Sequence, residues 1–323
     1  MSGATAEVPA RIVAYLRGFI SLLALLSAIT GCAQTSGCDL VKVAQVPLLP
    51  KGRLFAVPTT INGHTLDMVL DTGAAKSMLV DASVRRFGIR KDGGTYTVLV
   101  GLHGGSPRAD ANIDSISLGG TPLSLDRMSV NSFNASGIDG VLGLDVLRKF
   151  DLDIDAPQRS LALYRIRRCD AADLPWSEAA VSIAGTSSMG SWMEMPIDID
   201  GVRGRAVIDT GASYTMIMPR MMRRLGLTEQ QLANDRTLTQ HVIAGEDSTA
   251  RFHHFGTIRL GPILAHNVSI LVLAKDPPAL GGGRRFSDAV IGQDVLRNRR
   301  IWFSFSTGRL YFSRRDGDDG GTD

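Results

Sequence analysis

Cysteine is scarce in this chain of 323 residues: there are three. They allow at most one intrachain disulfide beside a single thiol, so covalent cross-linking cannot carry the fold. Aromatic residues reach only 6%, and no basic stripe interleaved with them argues for a nucleic-acid partner. Neither sign of charge dominates, the formal net charge being +3. The groups Arg165/Arg167/Arg168, Arg223/Arg224 and Arg297/Arg299/Arg300 are scattered near the ends of expected elements and read as solvated faces. Apolar runs are short as well. The run Gly18–Thr30, GFISLLALLSAIT, is too brief for a comfortable bilayer span. Several catalytic signatures are missing too: Gly-x-Ser-x-Gly, His-Glu-x-x-His, the Walker loop and Gly-x-Gly-x-x-Gly. His253 and His254 are adjacent rather than on one helical face, so no metal site and no cofactor are expected.

What is present is the composition of a soluble globular protein, 44% apolar and 21% charged, with 35 Gly among alternating Val, Ile and Leu. That mixture leans towards β structure, and the length suits two domains of ordinary size. At the N-terminus, Arg11 and Arg17 precede the apolar run, which ends at Ile29-Thr30-Gly31-Cys32. An apolar residue, two small ones and then Cys resemble the lipobox of bacterial lipoproteins. Residues 1–31 are therefore expected to be a signal peptide, with Cys32 the lipidated anchor and residues 32–51 a tether. Ala33 stands where an inner-membrane retention signal would have Asp, so the resemblance implies the outer membrane, facing the periplasm.

The main signal is a duplication. VLDTGAAKSML begins at Val69 and VIDTGASYTMI at Val207, 138 positions later. The match extends over FAVPTTINGHTLDMVLDTGA and MEMPIDIDGVRGRAVIDTGA without a gap, with Asn62-Gly63 opposite Asp200-Gly201. Asn-Gly and Asp-Gly between alternating apolar runs predict tight hairpins, so each copy opens strand, turn, strand and ends at the Asp. Short helices are expected over 81–87 and 219–225, stopped by Gly88 and Gly226. A Gly-bearing hairpin follows in each copy. Both close alike, GVLGLDVLRKF against AVIGQDVLRNR, and then run into two short strands around a turn. The copies occupy 52–166 and 190–314. The expected organisation is lobe 1 over 52–168, a polar linker over 169–189, lobe 2 over 190–315 and a polar tail over 316–323. The fold class is all-β with short helices, as two lobes related by a pseudo-twofold axis.

Asp71 and Asp209 each end a strand on a turn of Thr and Gly. Two carboxylates a few ångströms apart cannot both ionise cheaply, so a facing pair would share one proton and titrate as a unit. The ionised partner could then take a proton from water while the protonated one polarises a carbonyl. Gly73 and Gly211 permit close backbone approach, and Thr72 and Thr210 offer hydroxyls able to bond across the lobe boundary.

Asp71-Thr72-Gly73, Asp209-Thr210-Gly211 and the apolar-apolar-Gly motifs ending at Gly143 and Gly292 resemble the pepsin/retropepsin aspartic proteases. Ala74 and Ala212, with Ser77 and Thr215, look retroviral rather than pepsin-like, as does the lobe size. The resemblance implies a bilobal acid-protease fold of two retropepsin-like β-barrel lobes. It also implies catalysis by Asp71 and Asp209 without metal or cofactor, a monomer, and a protein or peptide substrate. In that family the motifs of Gly143 and Gly292 thread behind the catalytic turns. It further implies flaps at the hairpins, near Gly101 and Leu102 in lobe 1 and Ile243 and Gly245 in lobe 2. The cleft would be lined by Ala74 and Lys76 on one side and Ala212 and Tyr214 on the other, giving asymmetric recognition in which Lys76 favours an acidic side chain. The competing reading is a catalytically silent peptide-binding lipoprotein. With Cys32 lipidated, Cys38 and Cys169 remain as a pair in an oxidising compartment, and a disulfide between them is expected. Its long loop would contribute about 4 kcal/mol in the chain-entropy estimate. A thiol assay on unreduced, denatured protein should find neither of them free; two reactive thiols would exclude the bond.

Overall fold

The computed structural model describes residues 39–101, 104–132, 136–167, 174–176, 180–188, 192–240, 248–274 and 287–314. Cys32, Cys38 and Cys169, the hairpin-tip residues Leu102, Ile243 and Gly245, and the expected signal peptide and tail lie outside them.

Lobe 1 is built from β1 (Asp39–Pro47), β2 (Leu49–Lys51), β3 (Leu54–Ile61), β4 (His64–Leu70), β5 (Met78–Val80), β6 (Lys91–Gly101) and β7 (Gly104–Asn112). It continues through β8 (Ile116–Leu118), β9 (Thr121–Pro122), β10 (Arg127–Asn131), β11 (Gly140–Leu142), β12 (Asp151–Asp155) and β13 (Ser160–Arg167). Lobe 2 comprises β14 (Ala180–Ala184), β15 (Thr186–Ser188), β16 (Trp192–Ile199), β17 (Val202–Ile208), β18 (Met216–Ile217) and β19 (Arg236–Gln240). It ends with β20 (Ser248–Leu260), β21 (Ile263–Leu273), β22 (Ala289–Ile291), β23 (Arg300–Ser304) and β24 (Arg309–Ser313). The helices are single turns or little more, Asp81–Arg86 and Leu144–Leu147 in the first copy, Pro219–Arg224 and Gln293–Leu296 in the second.

Each copy opens as its sequence dictates. Asn62 and Asp200 hold left-handed backbone at φ 48° and 46°, closing the β3–β4 and β16–β17 hairpins as two-residue turns. Burial alternates along β16, so Met193, Met195, Ile197 and Ile199 face the core. Beyond the Asp-bearing turn, β11 inserts between β4, to which it is parallel, and β5, to which it is antiparallel. In lobe 2, β22 inserts between β17 and β18 in the same way. Pairing of β3 with β8, and of β16 with β20, bends each lobe's sheet back on itself.

The two lobes are not joined only by a linker. A six-stranded sheet runs β1-β13-β12-β23-β24-β14, two strands from each copy with β1 and β14 added at its edges. At its middle Leu152 pairs with Phe303, Asp153 with Trp302 and Ile154 with Ile301, antiparallel. Asp153 and Trp302 are equivalent positions of the duplication, so the pseudo-twofold axis passes through this pair. β1 lies in the stretch read as a tether and β14 in the stretch read as a linker; antiparallel pairing with β13 and β24 draws both into the fold. Their apolar content is too short and irregular to mark them in the sequence. One apolar core extends through Leu152, Ile154, Ile301 and Phe303 from lobe to lobe. The opposite face of the sheet carries Trp302 against Tyr164, ring centroids 4.8 Å apart. Among the described residues no helix is long and apolar enough to cross a membrane.

Buried Asp153 is held by Arg300, Nε at 2.9 Å and Nη2 at 2.7 Å, and by Trp176 Nε1 at 3.2 Å. Asp153→Ala should therefore destabilise the protein by roughly 2–3 kcal/mol, less than a fully buried pair because Arg300 is partly exposed. Asp155, 3.6 Å from the same guanidinium, should cost about 1 kcal/mol or less when replaced by Ala. Urea unfolding of the two variants measures the difference.

Candidate active site

The two Asp-bearing turns meet where the lobes join. Thr72 N–H donates to Thr210 Oγ1 at 3.0 Å, and Thr210 N–H donates to Thr72 Oγ1 at 3.1 Å. Each hydroxyl in turn donates across the boundary, Thr72 to the Ile208 carbonyl and Thr210 to the Leu70 carbonyl, both at 2.7 Å. Four reciprocal bonds thus lock turn against turn. A serine could reproduce the bonding atoms, but Thr's β-branching holds the hydroxyl in few rotamers.

This clamp brings the carboxyl groups of Asp71 and Asp209 together, close enough for each to act on the other's proton affinity. Oδ1 of Asp71 accepts the N–H groups of Gly73 and Ala74, each at 2.8 Å. Asp209 Oδ1 accepts those of Gly211 at 2.8 Å and Ala212 at 3.1 Å. Each glycine packs against the opposite carboxyl: a Cβ on Gly73 would overlap Asp209, and one on Gly211 would overlap Asp71. Any other residue at these positions would force the acids apart.

Behind the turns, Asp71 N–H bonds to Leu142 O at 3.1 Å and Asp209 N–H to Ile291 O at 3.0 Å. The chain then threads past the turn at Gly143 and Gly292. A Cβ on Gly143 would come within 2.8 Å of the Ala74 carbonyl oxygen, and one on Gly292 within 2.8 Å of that of Ala212. Asp145 accepts the Ser77 hydroxyl at 2.7 Å, and Asp294 accepts the Thr215 hydroxyl at 2.7 Å. Both pairs anchor the far end of a turn to the helix after the threading strand. Sequence reasoning passed over Asp145 and Asp294, although the matched GLDVL and GQDVL segments and the hydroxyls at 77 and 215 were a usable signal.

The sequences match the family described as Aspartyl protease over residues 57–146 and 195–295. The chain belongs to the aspartyl protease family. No curated protein matches it. The match falls separately on both copies, and with the two barrel-like lobes it makes the architecture the bilobal acid-protease fold. Within this family member the remaining candidate residues fall as follows. Ala74 and Ala212 lie partly buried beside the turns, Lys76 is exposed, and Tyr214 packs edge-on to Phe252 with centroids 5.4 Å apart. Gly101 pairs with Gly104 at the described end of the β6–β7 hairpin, and β19 pairs with β20 in the matching hairpin of lobe 2. Trp192 Nε1 donates to Gly73 O at 2.8 Å, pinning the lobe 1 turn from lobe 2. Nothing in the sequence announced this bond, because the matching position in the first copy is Leu54. Gln293 similarly donates to Thr210 O at 2.7 Å where the first copy has Leu144. Among the described residues no group of three or more His, Cys, Asp or Glu could hold a metal ion.

Burial raises the proton affinity of both acids. For Asp71 desolvation is opposed by the backbone donors and by Asp209; for Asp209 the neighbouring Asp71 charge adds to desolvation, holding it well above the ordinary carboxylate range. The pair therefore keeps one proton where free carboxylates have lost theirs. Because the folded-state affinity is raised, stability falls as pH rises from the unfolded carboxylate range through the pair's own titration. Asp71→Asn or Asp209→Asn should remove that penalty. The expected result is a melting temperature above wild type at neutral pH, with the gain shrinking below about pH 4, where unfolded carboxyls are protonated too. Calorimetry across that range measures it.

Proposed function

We propose that the protein is an aspartic endopeptidase. The observation that carries this reading is the facing pair of carboxyl groups, of buried Asp71 and half-buried Asp209, clamped by reciprocal threonine bonds. A water between the acids would give a proton to the ionised carboxylate as its oxygen attacks the scissile carbonyl carbon. The protonated partner would donate to the carbonyl oxygen, leaving a neutral tetrahedral diol. The acid that took the water proton then gives it to the amide nitrogen; as the C–N bond breaks, one diol hydroxyl passes its proton to the other carboxylate, so a carboxylic acid and an amine leave and the dyad again holds one proton. The backbone donors at Gly73, Ala74, Gly211 and Ala212 hold the carboxyl planes throughout. The β6–β7 and β19–β20 hairpins suit flaps that exclude water and offer backbone groups to an extended peptide.

Lipidation at Cys32 would hold the enzyme on the envelope membrane facing the periplasm, where protein and peptide substrates are at hand. Ala74 and Ala212 provide no hydroxyl to the ionised carboxylate, which leaves its proton affinity higher than a serine or threonine would. The pH–rate profile should accordingly peak at mildly acidic to near-neutral pH. Cleavage of casein or an envelope proteome by wild type should fall about a thousandfold or more in Asp71→Asn and Asp209→Asn. Cleavage unaffected by either change removes the dyad mechanism, and an optimum near pH 3 removes the account of Ala74 and Ala212.

A further inference from the structure

A cavity of about 220 Å³ lies at the lobe junction, lined among others by Arg53, Phe55, Pro157, Arg159, Arg297 and Asn298. Arg53 comes from the turn before β3, Arg159 from the β12–β13 turn, and Arg297 from just beyond the last helix of lobe 2. Among the described residues none of the three arginines forms an ion pair with a carboxylate. Three cations thus converge on one concavity with no counter-charge of their own.

Two observations separate this cluster from an ordinary solvated face, which is how Arg297 reads in the sequence. The first is backbone strain. Arg159 sits at φ 53°, a left-handed conformation that disfavours residues with a Cβ, while the equivalent turn in the second copy carries Gly308 at φ 68°. The turn needs left-handed backbone, and the first copy meets that need with an arginine where glycine is the relaxed solution. The second is divergence: the position matching Arg53 is Ser191, so the second copy lacks two of the three cations and the fold does not require them. Arg53 also connects the cavity with the candidate active site. Its guanidinium lies 4.4 Å from the ring centroid of Tyr214, five residues beyond Asp209 in the lobe 2 turn. Tyr214 packs on Phe252, whose ring takes Arg236 at 4.0 Å, so a pair of rings is flanked by an arginine at each end.

Resting on the endopeptidase reading, we propose that the arginine-lined cavity is an exosite for the acidic flank of a peptide whose scissile bond lies over the dyad. Carboxylate side chains would meet Arg159 and Arg297 in bidentate or single contacts. Arg53 would carry the chain from the cavity to the Tyr214 wall.

The test uses two fluorescent peptides of one core sequence, with a flank of three Glu or three Gln, binding to full-length Asp71→Asn protein. Anisotropy should show the acidic peptide bound about fivefold tighter or more, as expected from two or three exposed charge contacts. At 1 M salt, where the Debye length is about 3 Å, the preference should vanish. Arg297→Gln and Arg159→Gly should each shrink the affinity ratio, and Arg159→Gly should do so without lowering the melting temperature. A ratio near one in the parent protein, or a ratio unchanged by both substitutions, overturns the exosite. So does competition by inorganic phosphate with no discrimination between the peptides, which would mark a phosphate site. Binding is read without turnover. A failed casein assay would therefore remove the endopeptidase reading while leaving this measurement intact, and active enzyme with no acidic preference would do the reverse.

Discussion

Everything at the centre of this molecule depends on keeping two acids in a place neither would choose alone. Burial and mutual repulsion both disfavour a second negative charge, and the chain opposes them with directional bonds rather than with a counter-ion. The reciprocal bonds of Thr72 and Thr210 set the separation of the turns. The backbone donors on each Oδ1 set the plane of each carboxyl. The absence of a Cβ on Gly73 and Gly211 makes the approach possible at all.

That clamp needs a rigid frame, because a small relative movement of the lobes would break all of its cross-boundary bonds together. The frame is the six-stranded sheet in which β12 pairs with β23. It gives both copies one apolar core, and it places the Asp153–Arg300 fork on its other face. Threading of β11 and β22 behind the turns ties the dyad to the barrels, with Asp145 and Asp294 closing each connection. The same plan is carried out twice. The departures from it are therefore informative: Trp192 against Leu54, Gln293 against Leu144, Tyr214 against Lys76, and Arg159 against Gly308.

Such departures are where a duplicated fold can acquire direction. A strictly symmetric pair of turns has no preferred end. The Tyr214–Phe252 pair stands in lobe 2, with Arg236 of the same lobe on Phe252 and Arg53 of lobe 1 on Tyr214, whereas lobe 1 has Lys76 at the position of Tyr214. Trp192 and Gln293 add unequal support to the two turns, each holding a carbonyl oxygen that the other copy leaves without that partner. The inequality between the two turns rests on these few substitutions on an otherwise repeated scaffold.

By itself the sequence determined what local rules control. Asn62-Gly63 and Asp200-Gly201 specify tight turns, alternation specifies the strands around them, and Gly88 and Gly226 end the short helices. The duplicated Asp-Thr-Gly also pointed to a facing pair, since matched copies imply matched surroundings. Only the tertiary structure decided the rest. β1 and β14 carry too little periodic signal to stand out, and they become strands because β13 and β24 present open edges to them. The Trp192–Gly73 bond, the Asp145 and Asp294 anchors and the convergence of Arg53, Arg159 and Arg297 join residues distant in the chain. No local preference encodes such meetings, because they exist only once non-local pairing has already formed.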